Sequence, residues 1–209
     1  MPKHAQAIGG LLRDPTLLRL TGFIDSRRSA PSLVVIGLTV YVGAFRTFSK
    51  QQHKFYRDRM KELTLWDPKL LPIFPNSAFS AATFNFGPEV RTYRHKDFNN
   101  LSHGWCSITA LGDFDPKAGG HLVLWELKKI IEFPAGSTIF IPSALVSHSN
   151  TPTSPSERRQ SFTQYTAGSI LRFMACGFQA KGSLRKGATM KRWWAPGQTL
   201  FEQLDSVIE

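Results

Sequence analysis

The chain has 209 residues, 42% of them hydrophobic and 20% charged, with a formal net charge of +11. This length suits one domain with room for an extension and a sizeable core, and the positive balance favours a polyanionic partner, most often nucleic acid. Two cysteines, Cys106 and Cys176, exclude a disulfide framework or a cysteine-rich zinc site and read as buried free thiols, while the longest apolar run, Leu33 to Phe45, is about thirteen residues against the roughly twenty of a bilayer span.

Residues 1–30 are a mixed, partly basic lead-in in which Leu11, Leu12, Leu17, Leu18 and Leu20 can line a short helix interrupted by Pro15. Residues 26–32 read as a loop, and the apolar run after it as a buried strand or helix. From Phe45 to Leu65 the pattern is helical: Phe45, Phe48, Phe55, Met60 and Leu63 recur at three-to-four spacing with lysines and arginines on the other faces, and Trp66-Asp67-Pro68 ends the run.

After Pro75-Asn76 the texture changes. Residues 79–86, 90–95, 105–111, 121–127, 130–133, 137–141, 145–148, 160–166 and 170–176 all read as short strands, divided by Gly-, Pro- and Asn-rich turns. Strands at this spacing point to a sandwich or jelly roll. No internal repeat stands out. The tail carries Trp193, Trp194, Leu200, Phe201, Leu204 and Val207, a pattern for a final docking helix. Between Glu157 and Glu202 no acidic residue occurs, whereas Arg158, Arg159, Arg172, Lys181, Arg185, Lys186, Lys191 and Arg192 do. That block is the best candidate for a phosphate-facing surface.

Within the β-rich part, His95-Lys96-Asp97 offers an imidazole and a carboxylate from one strand end. A mononuclear iron site with open positions needs two His and one carboxylate, and His148, closing a later strand-like run, can complete it. A keto acid bound at such an iron also needs a cation for its distal carboxylate. Arg159 at the start of the next strand suits this through its planar fork, and Ser161 faces the same side two residues on. Lys96, facing away, is expected to be solvated. Singly, each of these has a plain structural explanation: a solvated His–Asp pair, a capped turn, a basic surface. Their order and spacing in one β-region favour the site.

The run from His95 to Leu111 resembles the metal-binding segment of the TET/JBP family of Fe(II)/2-oxoglutarate dioxygenases, enzymes that oxidise the methyl group of modified DNA bases. Residues 119–124, 133–138, 148–152 and 159–165 are similar too, and the likeness is greatest to the compact forms expanded in basidiomycete fungi, often beside transposons. It covers residues 75–178 well and the flanking helices loosely. It implies a mainly β (α+β) chain: a double-stranded β-helix (jelly-roll, cupin-like) core over 75–180, an N-terminal helical extension over 1–74 packing on it, and a basic segment over 181–209 ending in a helix.

The resemblance further implies Fe(II), 2-oxoglutarate and O2, with His95, Asp97 and His148 as metal ligands. Arg159 and Ser161 match the pair holding the distal carboxylate, and His121 a further 2-oxoglutarate contact. Asn100 matches a residue that hydrogen-bonds a flipped base, and Tyr165 an aromatic that stacks on it. A second base-contacting His of the animal enzymes falls at Ala167, so the identity of the base stays open. Their upstream 2-oxoglutarate Arg has no counterpart, which leaves Asn85 or Arg94 to stand in. Their Cys-rich zinc region is missing, which leaves grip on the nucleic-acid backbone to basic residues such as Arg158, Arg172, Lys181, Arg185 and Lys186. Residues 27–43 are an insertion relative to the compact fungal pattern.

The expected activity is oxidation of 5-methylcytosine in double-stranded DNA to 5-hydroxymethylcytosine and beyond, by a monomer in the nucleus or otherwise the cytoplasm. The same chemistry on 6-methyladenine or on a methylated base in RNA is the alternative. A transposon-associated nucleic-acid-binding module without turnover is the reading from another class.

Overall fold

The computed structural model describes residues 6–7, 43–70, 74, 77–87 and 89–179. The expected lead-in helix, nearly all of the 27–43 insertion and the tail from residue 180, including Lys181, Arg185 and Lys186, lie outside the described residues.

Residues 43–48 form a helical turn, and α1 follows over Lys50–Trp66. Its sequence holds no Gly or Pro, and Pro68 biases Asp67 to the extended conformation that ends it (φ −132°). The buried face is Gln52, Tyr56 and Leu63. Phe45 also faces inward, stacked between Phe79 and Phe140 at ring distances of 5.2 and 5.3 Å. Phe48, expected on the same stripe, is instead 84% exposed. Ser49 separates the two helical pieces, so the period does not run through, and Tyr56 rather than Phe48 continues the buried face. The Tyr56 hydroxyl accepts from the Trp105 backbone N–H at 2.9 Å, tying α1 to the sheet. Gly104 permits that approach, because a Cβ there would collide with the hydroxyl.

Short strands form two sheets. The larger has the order β1 (Gln6–Ala7), β2 (Ala81–Asn85), β8 (Arg158–Tyr165), β3 (Cys106–Asp113), β6 (Thr138–Ile141). The smaller has the order β5 (Lys129–Ile131), β4 (Leu122–Leu124), β7 (His148–Asn150). Every pairing is antiparallel. The extended segment 89–95 occupies the remaining place beside β7, bridging it at His95↔His148. From β2 onward the chain thus alternates between the sheets, with β4 and β5 as the one hairpin within a sheet. This is the double-stranded β-helix expected from the sequence.

A shared core joins the layers. Cys106, Ala110 and Ile141 from the larger sheet meet Leu122 and Leu124 from the smaller one, with Phe114 and Phe133 from the loops. On the larger sheet's other side lie Phe162, Ala82 and the helical layer of Phe45, Tyr56, Leu63, Phe79, Ile170, Leu171 and Met174.

Three expected strands differ. Residues 170–176 belong to a helix, α2 (Gly168–Ala175). Ile170, Leu171 and Met174 are buried together, and only the helical period puts i, i+1 and i+4 on one side. Gly177, at φ +69°, ends it. Residues 90–95 make bridges rather than a ladder, and the stretch before His148 turns over Pro142, with Leu145 and Val146 N–H groups both bonded to its carbonyl. Of the two thiols, Cys106 is buried as expected, whereas Cys176 is only half-buried.

Candidate metal centre and cavity

His95 and His148 sit opposite each other as a hydrogen-bonded bridge pair, His95 N–H to His148 O at 3.1 Å and His148 N–H to His95 O at 2.9 Å. The backbone therefore sets their rings side by side, 4.3 Å apart. Each Nδ1 lies against the carbonyl two residues earlier, Tyr93 O at 2.8 Å and Val146 O at 3.0 Å. That contact assigns the proton to Nδ1 and turns both Nε2 lone pairs toward Asp97. Asp97 Oδ1 is 3.5 Å from His95 Nε2, and Oδ2 is 3.9 Å from His148 Nε2. One ligand atom from each of the three lies within 4.8 Å of the others.

The electrostatics suit a cation. Burial holds the His148 ring below its usual pKa, so it rests neutral, the form that ligates. Burial alone would push the Asp97 carboxyl up, but the bond to His95, the nearby His148 ring and Ser143 outweigh it and leave it lowered. The Asp97 carboxylate chiefly raises His95, so at Nε2 a cation competes with a proton. Two neutral imidazoles and a carboxylate with the remaining directions open are a donor set for a mononuclear iron.

Around these ligands run ties that the sequence pattern did not announce. The Asn100 amide donates to Asp97 Oδ2 at 3.3 Å and to Ser143 Oγ at 2.9 Å, and Ser143 O accepts from the Asp97 N–H at 2.9 Å. Lys96 is not simply solvated: its Nζ is 3.2 Å from Glu126. Glu126 in turn accepts from Ser147 Oγ at 2.6 Å and Ser147 N–H at 2.7 Å. Ser147's hydroxyl foremost brings the Glu126 carboxyl down to about 2. Segment 95–97 is thereby fastened to the residue before His148. Only pairing in three dimensions could reveal this, since Glu126 lies in a turn with no motif around it.

The triad opens on a cavity of about 780 Å³. Ser161, Thr163 and Tyr165 line it from alternate positions of β8, with Thr83 and Asn85 from β2 beside them. Asn85 and Ser161 are register partners, their side chains bonded at 2.9 Å. Asn100 and Arg172 also line it. Arg159 occupies the next inward position of β8 beyond Ser161 and is 1% exposed. One Nη donates to Val90 O at 2.8 Å, and Nε has no partner. No ion pair involves it among the described residues, and burial brings its pKa down to about 10. A buried guanidinium with unused donors fits a carboxylate ligand. Gly120 makes room for it, because a Cβ there would stand 3.1 Å from Arg159 Cδ and Nε.

His121 is not among the lining residues; its Nδ1 lies 3.2 Å from Thr151 Oγ1. Arg158 is exposed and pairs in register with Asp113, at the end of β8 opposite Tyr165. That places it roughly 20–25 Å along the strand from Tyr165 at about 3.3 Å per residue, so of the three described members of the basic block, Arg158, Arg159 and Arg172, only Arg172 lines the cavity. His103, not singled out in the sequence, lines the cavity with its Nε2 buried and without a partner.

No family model and no curated protein matches the sequence. Among solved structures, the chain is similar to NgTET1 in complex with 5mC DNA at 13% identity, covering 79% of this chain and 72% of that one with a TM-score of 0.40. It is also similar to the viral collagen prolyl hydroxylase vCPH from Paramecium bursaria Chlorella virus-1 in its 2OG complex (13% identity, 78% and 95% covered, TM-score 0.35). A Pseudomonas putida prolyl-4-hydroxylase is a third (15% identity, 78% and 92% covered, TM-score 0.36). These are distant likenesses, and the assignment of the double-stranded β-helix rests on the strand order above.

Proposed function

We propose that the chain is an Fe(II)/2-oxoglutarate-dependent dioxygenase that hydroxylates the methyl group of a modified base in DNA, 5-methylcytosine foremost. The observation that carries this reading is the donor set itself: two imidazoles with Nδ1 held by backbone carbonyls and a carboxylate between their Nε2 atoms. The buried Arg159 beyond Ser161, whose Nε has no hydrogen-bond partner among the described residues, supports the keto acid half of the reading. The base half rests on the sequence resemblance around His95–Leu111 and on a cavity wide enough for a base that has left the stack.

Iron bound with 2-oxoglutarate would supply the oxidation, in which O2 gives one oxygen atom to succinate, with loss of CO2, and the other to the methyl carbon as hydroxyl. The protein's residues do the rest. His95, Asp97 and His148 hold the metal on one face. Arg159 and Ser161 orient the distal carboxylate, and Asn85 steadies the Ser161 hydroxyl. Tyr165 offers a ring on which a base stacks. Asn100, its amide nitrogen committed to Asp97 and Ser143, keeps its carbonyl oxygen for a base amino group.

Succinate release tests this with Fe(II), 2-oxoglutarate and oligonucleotides carrying 5-methylcytosine, 6-methyladenine or neither, followed by product mass spectrometry. Release stimulated by 5-methylcytosine duplex, with hydroxymethyl product, and lost together with Fe(II) binding in His148→Ala, is expected. Product only from 6-methyladenine or RNA would move the substrate; no binding of Fe(II) or 2-oxoglutarate would remove the enzyme reading.

A further inference from the structure

The turn that carries the metal-binding carboxylate also carries Phe98, which is 81% exposed. It lies on the wall of the same cavity, next to the triad. A single exposed aromatic is ordinary on a protein surface; this one stands beside the site on a turn whose backbone is fixed. The Asn100 N–H closes the turn onto Asp97 O at 2.9 Å. Gly168 N–H holds Asn99 O at 2.9 Å, and Leu101 N–H holds Thr166 O at 2.9 Å. Phe98 is thus the tip of a turn whose backbone is tied on one side to Ser143, through the Asp97 N–H, and on the other to Thr166 and Gly168 at the start of α2.

Arginines stand on the same cavity wall and along the strand that leads to the turn. Arg172 of α2 is exposed on the cavity wall. On the strand leading to the turn, Arg91 lies over the Tyr93 ring at 5.4 Å and Arg94 over the Trp125 ring at 4.8 Å. The nearby acids are occupied: Asp97 faces the two histidines, and Glu126 is taken by Lys96 and Ser147. An exposed aromatic on a backbone-fixed turn, with Arg172 on the same wall, is a poor fit to an acidic peptide, which offers nothing for the ring to enter. It fits a polyphosphate with stacked aromatic bases.

We propose that Phe98 is a wedge for duplex DNA: it enters the base stack at the step from which the substrate base leaves, while Arg172 and the Arg91–Arg94 strand meet the flanking phosphates. This rests on the base-oxidase reading above and adds how the base is drawn out of the duplex. Extruding a paired base costs a few kcal/mol, and an apolar group in the vacated space keeps the base from returning. A duplex needs this help and a single strand does not.

The test compares wild type with Phe98→Ala and Phe98→Trp on the full chain. The probe is a 5-methylcytosine duplex with 2-aminopurine beside the methylated base, and the matched single strand serves as control. Wild type is expected to raise the 2-aminopurine fluorescence. Phe98→Ala should lose most of that rise and at least roughly tenfold in duplex turnover, equivalent to about 1.4 kcal/mol, with single-strand turnover and melting temperature kept and Phe98→Trp restoring the duplex signal. Equal losses on duplex and single strand, or no loss on either, overturn the wedge while leaving the oxidase. A fall in melting temperature with Phe98→Ala also overturns it, since the ring would then be serving the protein's own packing. A fluorescence rise that depends on Phe98, without oxidised product, keeps the wedge and removes the oxidase reading. No rise with wild type removes the wedge.

Discussion

The two walls that carry the site are fixed by different means. β8 lies between β2 and β3 and is paired along both edges. Arg159, Ser161, Thr163 and Tyr165 therefore take their inward positions from backbone register, two residues apart. Segment 89–100 is not a ladder. It touches its neighbours at the bridges of Glu89, His95 and Asn100 and at scattered backbone bonds such as Asp97 N–H to Ser143 O and Asn150 N–H to Thr92 O, and side chains add further ties: Thr92 to Asn150, Lys96 to Glu126, Asn100 to Ser143. A wall set by register tolerates the loss of a neighbouring side chain. A wall held at scattered points leans more on each side-chain tie, and this is the wall that carries His95 and Asp97.

The contrast is sharpest at the deep end of β8, where position is secure and function rests on one group. Arg159→Ala is expected to cost about 2–5 kcal/mol of 2-oxoglutarate binding, read by calorimetry or by the KM for 2-oxoglutarate, with Fe(II) affinity little changed. Gly120→Ala should weaken the same binding with the charge intact. Its Cβ would meet Phe114 and Arg159, and its φ of +71° disfavours any residue with a Cβ. Loss of Fe(II) in either variant would mean that the two walls are one unit.

The same difference explains what could be read in the sequence. The β-helix strands β2, β3, β6 and β8 fall close to their expected bounds. That His95, Asp97 and His148 come together and that Arg159 and Ser161 face one side of β8 was legible because their spacing follows strand ends and strand period. Lys96 was misread because its partner, Glu126, comes from a turn whose approach depends on how the sheets fold together. Residues 170–176 were misread because a short apolar run carries too few positions to separate a period of 2 from one of 3.6. Phe48 was misread because a one-residue break at Ser49 resets the helical phase without any Gly or Pro to mark it.

Along the edge wall, Glu126→Gln is expected to lower Fe(II) affinity roughly 10- to 100-fold, the range for residues that orient metal ligands, without altering 2-oxoglutarate binding in the metal-loaded protein. The pH dependence follows from the direction of its shift. The folded carboxyl titrates at about 2, below its ordinary 4.5, so its stabilising contribution is present above 4.5 and is lost as pH falls from there toward 2. Melting temperatures of wild type and Glu126→Gln should differ near neutrality and converge toward pH 2. A constant gap would mean that the substitution acts through shape and not through the charge.

Thr92→Val should have the smallest effect and bears most directly on how the edge is held. It preserves volume and removes the hydroxyl that donates to Asn150 Oδ1 at 2.8 Å. Asn150 keeps its backbone N–H bond to Thr92 O at 3.1 Å, so one contact is lost and the strand keeps its place. The expected cost is about 1 kcal/mol, or roughly 2–4 °C in melting temperature for a chain of this size. Fe(II) affinity should be unchanged within about twofold, because the His95↔His148 bridge lies three residues on and is closed by its own pair of backbone bonds. If Fe(II) affinity fell tenfold instead, the edge would depend on every tie at once, and the bridge alone would not be enough to set the two histidines.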